Sequence, residues 1–211
     1  MPRRSDSRVR MIEAAVELFR KQGYHATAFS DVVRESGAPR GSIYFHFPGG
    51  KEELAEAAIA AGGDEIVEIT ERAAAGAADP GGLIRALAHF GGERLRASGY
   101  RSGCAIATMV LELAPDNESL RAGFEKALSR WQLALGDALA PWGFDEDRAS
   151  AWAALIMATL EGALILSRAA LSLDPLCQAI DPLVEMINAE AGLRPSTGRG
   201  KPTQKVRAAR V

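Results

Sequence analysis

Residues 8–51 read RVRMIEAAVELFRKQGYHATAFSDVVRESGAPRGSIYFHFPGGK, and the punctuation of this stretch decides the fold. Val9, Ile12, Ala15, Val16 and Phe19 recur at three- and four-residue spacing. That is the apolar stripe of a helix running from about Asp6 to Gln22, which Gly23 stops. Thr27 stands where a second helix needs an N-cap, Asp31 suits the positive end of its dipole, and Phe29, Val32 and Val33 form its inward side. Gly37-Ala38-Pro39 makes a turn in which Gly37 permits a left-handed backbone and Pro39 opens a third, short helix reaching His46. Ile43 and Phe47, four apart, point inward, leaving Arg40, Ser42, Tyr44 and Phe45 on other faces. Two helices joined by a tight glycine turn and braced by a third describe a helix-turn-helix, whose second helix presents its N-terminal side chains to a major groove.

Beyond Pro48-Gly49-Gly50 the chain stays helical, rich in Ala, Leu, Glu and Arg and without sustained two-residue alternation. A long helix begins near Lys51 and runs towards Ala75. Breaks at 78–82, 98–99, 114–117, 141–143 and 172–175 leave five more, at about 83–97, 103–113, 118–140, 145–171 and 176–190, with Asn117 and Asp145 as caps. The expected architecture is all-α, with about nine helices. A three-helix DNA-binding domain occupies 1–51, a helical ligand-binding and dimerisation domain 52–192, and a basic tail 193–211, expected to be disordered, closes the chain.

Charge is distributed unevenly along this order. Residues 1–51 carry nine Lys/Arg against five Asp/Glu, a net of +4; residues 52–193 carry ten against twenty-two, a net of −12; residues 194–211 carry six basic residues and no acid. A basic head on an acidic body points to a polyanion at the N-terminus and its rejection elsewhere. MPRRSDSRVR has no apolar stretch after its arginines, so no secretory signal is read there. Ala151 to Leu173 is long enough to span a bilayer, but Glu161 and Arg168 interrupt it, and it is read as a buried helix with no membrane partner. Two cysteines, Cys104 and Cys177, make no disulfide framework and fit a reducing cytoplasm.

At Ala26–Val33, Ser36-Gly37-Ala38, Arg40–Phe47 and Lys51-Glu52-Glu53-Leu54 the chain resembles the DNA-binding domain of the tetracycline-repressor (TetR) family, in order and in spacing, over about 45 of its 211 residues. Gly103-Cys104-Ala105 through Leu111-Glu112-Leu113-Ala114 also resembles a pattern of the LmrA/YxaF-like multidrug-regulator branch. The resemblance implies a dimeric regulator that holds a palindromic double-stranded operator and is released from it by a small apolar or amphipathic effector, with no cofactor.

The candidate DNA-contacting residues are Thr27, Pro39, Arg40, Gly41, Ser42, Tyr44, Phe45, His46 and Lys51. Arg40 is either a solvated cation or a bidentate partner of guanine or phosphate. By the resemblance, Gly41 lets the helix approach DNA closely and Tyr44 contacts phosphate. His46 is either a half-buried neutral ring or a phosphate donor. Lys51 sits at the unfavourable end of a helix dipole, a placement that a phosphate at the same end would explain. Gly50-Lys51 is no nucleotide-binding loop, because Phe45 and Glu52 occupy positions that such a loop needs for glycine and Ser/Thr. Arg3, Arg4, Arg8 and Arg10 form either a phosphate grip or a frayed basic end.

The resemblance further implies a ligand cavity in the body, for which Phe90, Met109, Glu112, Leu113, Trp131, Trp152, Ile156 and Glu161 are the candidate wall. Glu112 and Glu161 stand in apolar surroundings, where a carboxylate must be paired or neutralised, by a ligand or by an arginine of the chain. Ala154, Ala158, Gly162 and Ala163 form a small-residue face suited to helix pairing between two copies. The alternative class, a helical enzyme or adaptor with no DNA role, finds little support. The three histidines lie far apart, and neither an HExxH motif, Cys/His metal spacing nor a nucleophile elbow is present.

Overall fold

The first helix, α1, spans Arg4–Gln22, and Gly23 follows it with φ +83°. In the computed structural model, which describes residues 4–39, 41–114 and 116–193, eight further α-helices succeed it: α2 (Phe29–Ser36), α3 (Ser42–His46), α4 (Gly50–Gly76), α5 (Pro80–Ala97), α6 (Ala105–Leu113), α7 (Glu118–Leu139), α8 (Glu146–Ala170) and α9 (Asp174–Glu190). A 3-10 turn at Ala140–Trp142 links α7 to α8, and no strand occurs among the described residues. Arg3, Arg40 and the tail from 194 onward lie outside the described residues.

The helix starts follow local chemistry. Asn117 accepts a hydrogen bond from the Leu120 N–H and Asp145 one from the Arg148 N–H, as the sequence suggests. Asp79 does the same for α5 through the Gly82 N–H, with Pro80 as first helical residue, so α5 starts inside a segment read as a break. The α1 stripe is rotated from expectation: Met11 is fully buried, whereas Val9 is 51% exposed.

Thr27 is not the cap of α2. That position belongs to Ala28, whose N–H is held by the Asp31 carboxylate at 3.1 Å. The Thr27 side chain is buried and its hydroxyl donates to the Gly23 carbonyl at 2.7 Å, closing the loop between α1 and α2. Gly37 caps α2 in the left-handed region at φ +62°, as the turn requires.

Two apolar cores result. One joins Met11, Phe19, Val32, Ile43 and Phe47 of the head to Leu54, Ile59, Met109, Leu113, Leu120 and Phe124 of α4, α6 and α7. The other gathers Leu83, Trp131, Leu135, Trp152, Ile156, Leu183 and Ile187 from α5, α7, α8 and α9. The head is therefore packed directly on the body, and α4 passes from one core to the other without interruption. Helix α8 is long and apolar enough to cross a membrane, yet it packs on α7 and α9 within this bundle.

Candidate nucleic-acid interface and its regulatory cavity

The five residues of α3 divide cleanly. Ile43 inside it and Phe47 just after it are buried, at 2% and 0% exposure, while Tyr44 and Phe45 stand 68% and 67% exposed. Two large aromatics held in water on a short helix are costly unless something covers them. The Tyr44 ring rests edge-on against Phe29 at 5.7 Å, and the Phe45 ring against His46 at 5.2 Å, so their directions are fixed. His46 is half-buried.

Pro39 does not open α3. It is exposed and precedes the helix, its carbonyl accepting from the Ser42 N–H at 3.1 Å and the Ser42 hydroxyl at 2.7 Å. Gly41 is the N-cap with φ +87°, and open space surrounds the position where a Cβ would stand. Backbone conformation therefore demands glycine here, independently of any close approach by a partner.

Lys51 lies in the first turn of α4, with its ammonium 4.1 Å from the centre of the Tyr24 ring. Burial pushes its pKa down, against the opposing field of Glu112. Arg8 and Arg10 are also engaged within the head: the Arg8 guanidinium stacks 5.1 Å from the Phe47 ring, and Arg10 Nε donates to the Ser36 carbonyl at 3.1 Å.

Inside the body a cavity of about 310 Å³ lies among α1, α4, α5, α6, α7 and α8. Of the expected wall, Phe90, Trp131 and Glu161 line it. Trp152 and Ile156 belong instead to the body core, and Met109 and Leu113 to the core shared with the head. Glu112 faces the head: its carboxylate accepts from the His25 backbone N–H at 2.9 Å and covers Gly23. A side chain on a helix can reach either way, and the direction depends on where α6 crosses α1, which periodicity does not reveal.

Apart from Glu161, the charged part of the wall comes from residues that sequence reasoning passed over. Arg20, from α1 of the head, is 3% exposed and bonds Glu17 and, at 2.7 Å, Glu65 of α4; Glu65 in turn bonds Arg94 of α5 at 2.5 Å. Burial raises the Glu65 pKa, but the hydrogen bonds and charges of Arg94 and Arg20 outweigh it and hold the carboxyl below its usual range. Cys104 and Ser102 complete this side. Burial pushes the Cys104 thiol up to about 12, so it is an inert proton donor there.

The outer surface of α8 and α9 carries Leu155, Ile165, Leu166 and Met186, each more than 40% exposed, with Ala154, Ala158 and Gly162 between them. Ala163, expected on this face, is buried inside the subunit at 1% exposure.

Comparison with known proteins agrees with this anatomy. Residues 11–58 match the family described as bacterial regulatory proteins, tetR family, and residues 80–181 match the transcriptional regulator LmrA/YxaF-like C-terminal domain. The HTH-type transcriptional regulator Rv0196 of Mycobacterium tuberculosis is 35% identical over 174 residues, covering 80% of this chain and 88% of its own. The HTH-type transcriptional regulator LmrA of Bacillus subtilis is 32% identical over 171 residues, covering 81% and 91%. Among solved structures, a TetR transcriptional regulator from Chloroflexus aurantiacus superposes with a TM-score of 0.71 at 28% identity, over 89% of this chain and 97% of that one.

Proposed function

Because the chain belongs to the tetR family of helix-turn-helix transcriptional regulators, we propose that it is a repressor that holds a palindromic operator as a homodimer and lets go when a small effector fills the body cavity. The reading rests above all on α3, whose two exposed aromatics, Tyr44 and Phe45, stand between the buried Ile43 and Phe47. Its outer side, with Ser42, Tyr44 and Phe45, faces the groove. The Gly41 backbone lies at its leading end, Arg40 is assigned to the interface from its place in the sequence, and His46 and Lys51 flank the phosphates. Thr27 contributes by fixing the α1–α2 loop rather than by touching DNA with its hydroxyl.

The working division is a reading head at 1–51, a regulatory and dimerisation body at 52–192 and a basic tail at 193–211, in a protein that acts in the cytoplasm and is not an enzyme. Two copies join through the exposed apolar face of α8 and α9, placing two heads about 34–36 Å apart for successive major grooves. An effector shifts the population towards a body conformation in which that spacing no longer fits. Helix α4 is the lever, since its first turn carries Lys51 while Gly62, Glu65, Ile66 and Ile69 further along it line the cavity.

The experiment is selection of bound duplexes from random and genomic DNA, followed by titration with Tyr44→Ala and Lys51→Ala variants. Tyr44→Ala is expected to weaken the selected site by more than tenfold with an unchanged melting temperature, and Lys51→Ala to weaken every duplex and lower the salt slope by about 1. Failure to enrich any palindrome, or a Tyr44→Ala protein that binds as well as wild type, refutes the reading.

A further inference from the structure

Two carboxyls line the cavity, and they differ in what answers them. Glu65 is held by Arg20 and Arg94, and Arg20 also bonds Glu17, so this group of two acids and two guanidiniums is balanced within itself. Glu161 of α8 forms no ion pair among the described residues, and its neighbour is the Cys104 thiol, which has no charge to offer. Arg168, two turns along α8, is exposed and lies beside Gly103. Desolvation pushes the Glu161 pKa up, against a smaller opposing pull from the thiol. A carboxyl kept in an apolar enclosure with no counterion carries an unmet demand for positive charge.

The rest of the wall suits the body of such a ligand. Phe90, Leu87, Leu128 and Leu164 are hydrocarbon, and Trp131 has already committed its indole N–H to Thr70 at 3.2 Å. The Phe90 ring already carries the Arg94 guanidinium at 4.8 Å, so the wall offers an incoming cation apolar contact and the Glu161 carboxyl, which together favour a cation that is itself largely apolar.

We propose that the cavity takes an amphipathic organic cation, an apolar body bearing one amine or quaternary ammonium group, with the charge seated against Glu161. The proposal deepens the effector reading given above and rests on it for its biological sense. Burial biases the Glu161 carboxyl towards its protonated form, so a permanent cation seated against it favours loss of that proton to solvent and leaves an ion pair behind. Affinity for the cation therefore rises with pH until Glu161 is ionised in the free protein. The charged or titratable groups around the cavity are Arg20, Glu65, Arg94, Arg168 and Cys104. Among these, the Glu65 carboxyl is held below its usual range and the Cys104 thiol is pushed up to about 12.

Three probes of one shape test this on the full-length protein without DNA: 4-biphenyltrimethylammonium, its uncharged isostere 4-tert-butylbiphenyl, and biphenyl-4-carboxylate. Calorimetry in two buffers of different ionisation enthalpy reads affinity and proton release together. The ammonium is expected to bind at least tenfold tighter than the tert-butyl compound, with proton release and a rising pH profile. Glu161→Gln is expected to erase that advantage while leaving the neutral probe within about twofold. Equal affinity of the first two in wild type overturns the proposal whatever the variant does, as does preference for the carboxylate or failure of all three to bind. Adding the same probes to a protein–operator complex separates the two readings. A cation that binds through Glu161 yet leaves the operator bound supports the ligand class and refutes effector release.

Discussion

Replacing Gly23 with alanine tests how the body holds the head. Gly23 has φ +83°, which costs an L-residue about 1–2 kcal/mol. A Cβ there would also overlap the Glu112 carboxylate, which must swing away and give up its 2.9 Å bond to the His25 N–H. That bond is charge-assisted but open to water, so its loss is worth about 1 kcal/mol, below the usual range for charged partners. Gly23→Ala should therefore cost about 2–3 kcal/mol in wild type. In a Glu112→Ala background only the backbone strain is left, about 1–2 kcal/mol, giving a coupling of about 1 kcal/mol in a double-mutant cycle. Urea unfolding at constant m-value measures each corner. Equal penalties in the two backgrounds, within ~0.3 kcal/mol, would mean that Glu112 does not bear on Gly23 and that the α6-to-head contact is incidental.

Other expectations follow from single contacts. Thr70→Val removes the acceptor of the buried Trp131 N–H and should cost about 1–2 kcal/mol, read by thermal unfolding; a neutral change would show the indole finding another partner. Asp79→Ala deletes the α5 cap and the bond from Asn188, for a loss of about 1–2 kcal/mol, with Asp79→Asn recovering most of it. Glu65 has a depressed pKa in the fold, so its contribution is complete above the unfolded carboxylate pKa of about 4.3 and fades as pH falls through the lower folded value. Glu65→Gln should flatten the acid limb of stability against pH, and an unaltered limb would exclude this ion network as its source. Leu166→Glu on the outer face of α8 should convert the proposed dimer to monomers in analytical ultracentrifugation with the melting profile of the subunit retained.

How much was legible in the sequence depends on distance along the chain. The helix-turn-helix was readable because its determinants are local: Gly37 must be left-handed, and Ile43 and Phe47 must point inward within one turn of each other. Asn117 and Asp145 were readable as caps for the same reason. Errors of one or two residues came from competition between neighbours. Thr27 looked like a cap but found a better acceptor in the Gly23 carbonyl, and Ala28 with Asp31 took its place. The cavity was only half legible, because its polar wall pairs Arg20 with a residue 45 positions away and Glu65 with one 29 away. No periodicity reports a pairing of that range.

Glu112 and Glu161 show what only tertiary structure decides. In sequence both are single carboxyls in apolar helices, with equal claims to a ligand. In the fold Glu161 lines the cavity with no ion pair among the described residues, while Glu112, in the last turn of the same α6 that supplies Ala105, Ile106 and Val110 to the wall, grips the α1–α2 loop of the head. One short helix thus borders the cavity along its length and holds the head at its last turn. A molecule that enlarges the cavity presses on α6, and α6 cannot shift without dragging or releasing the His25 N–H. Arg20 gives the same cavity a second hold on the head, since it belongs to α1 and its partners to α4 and α5. An effector acting as proposed is therefore expected to reach α1 from both of its sides without a flexible hinge.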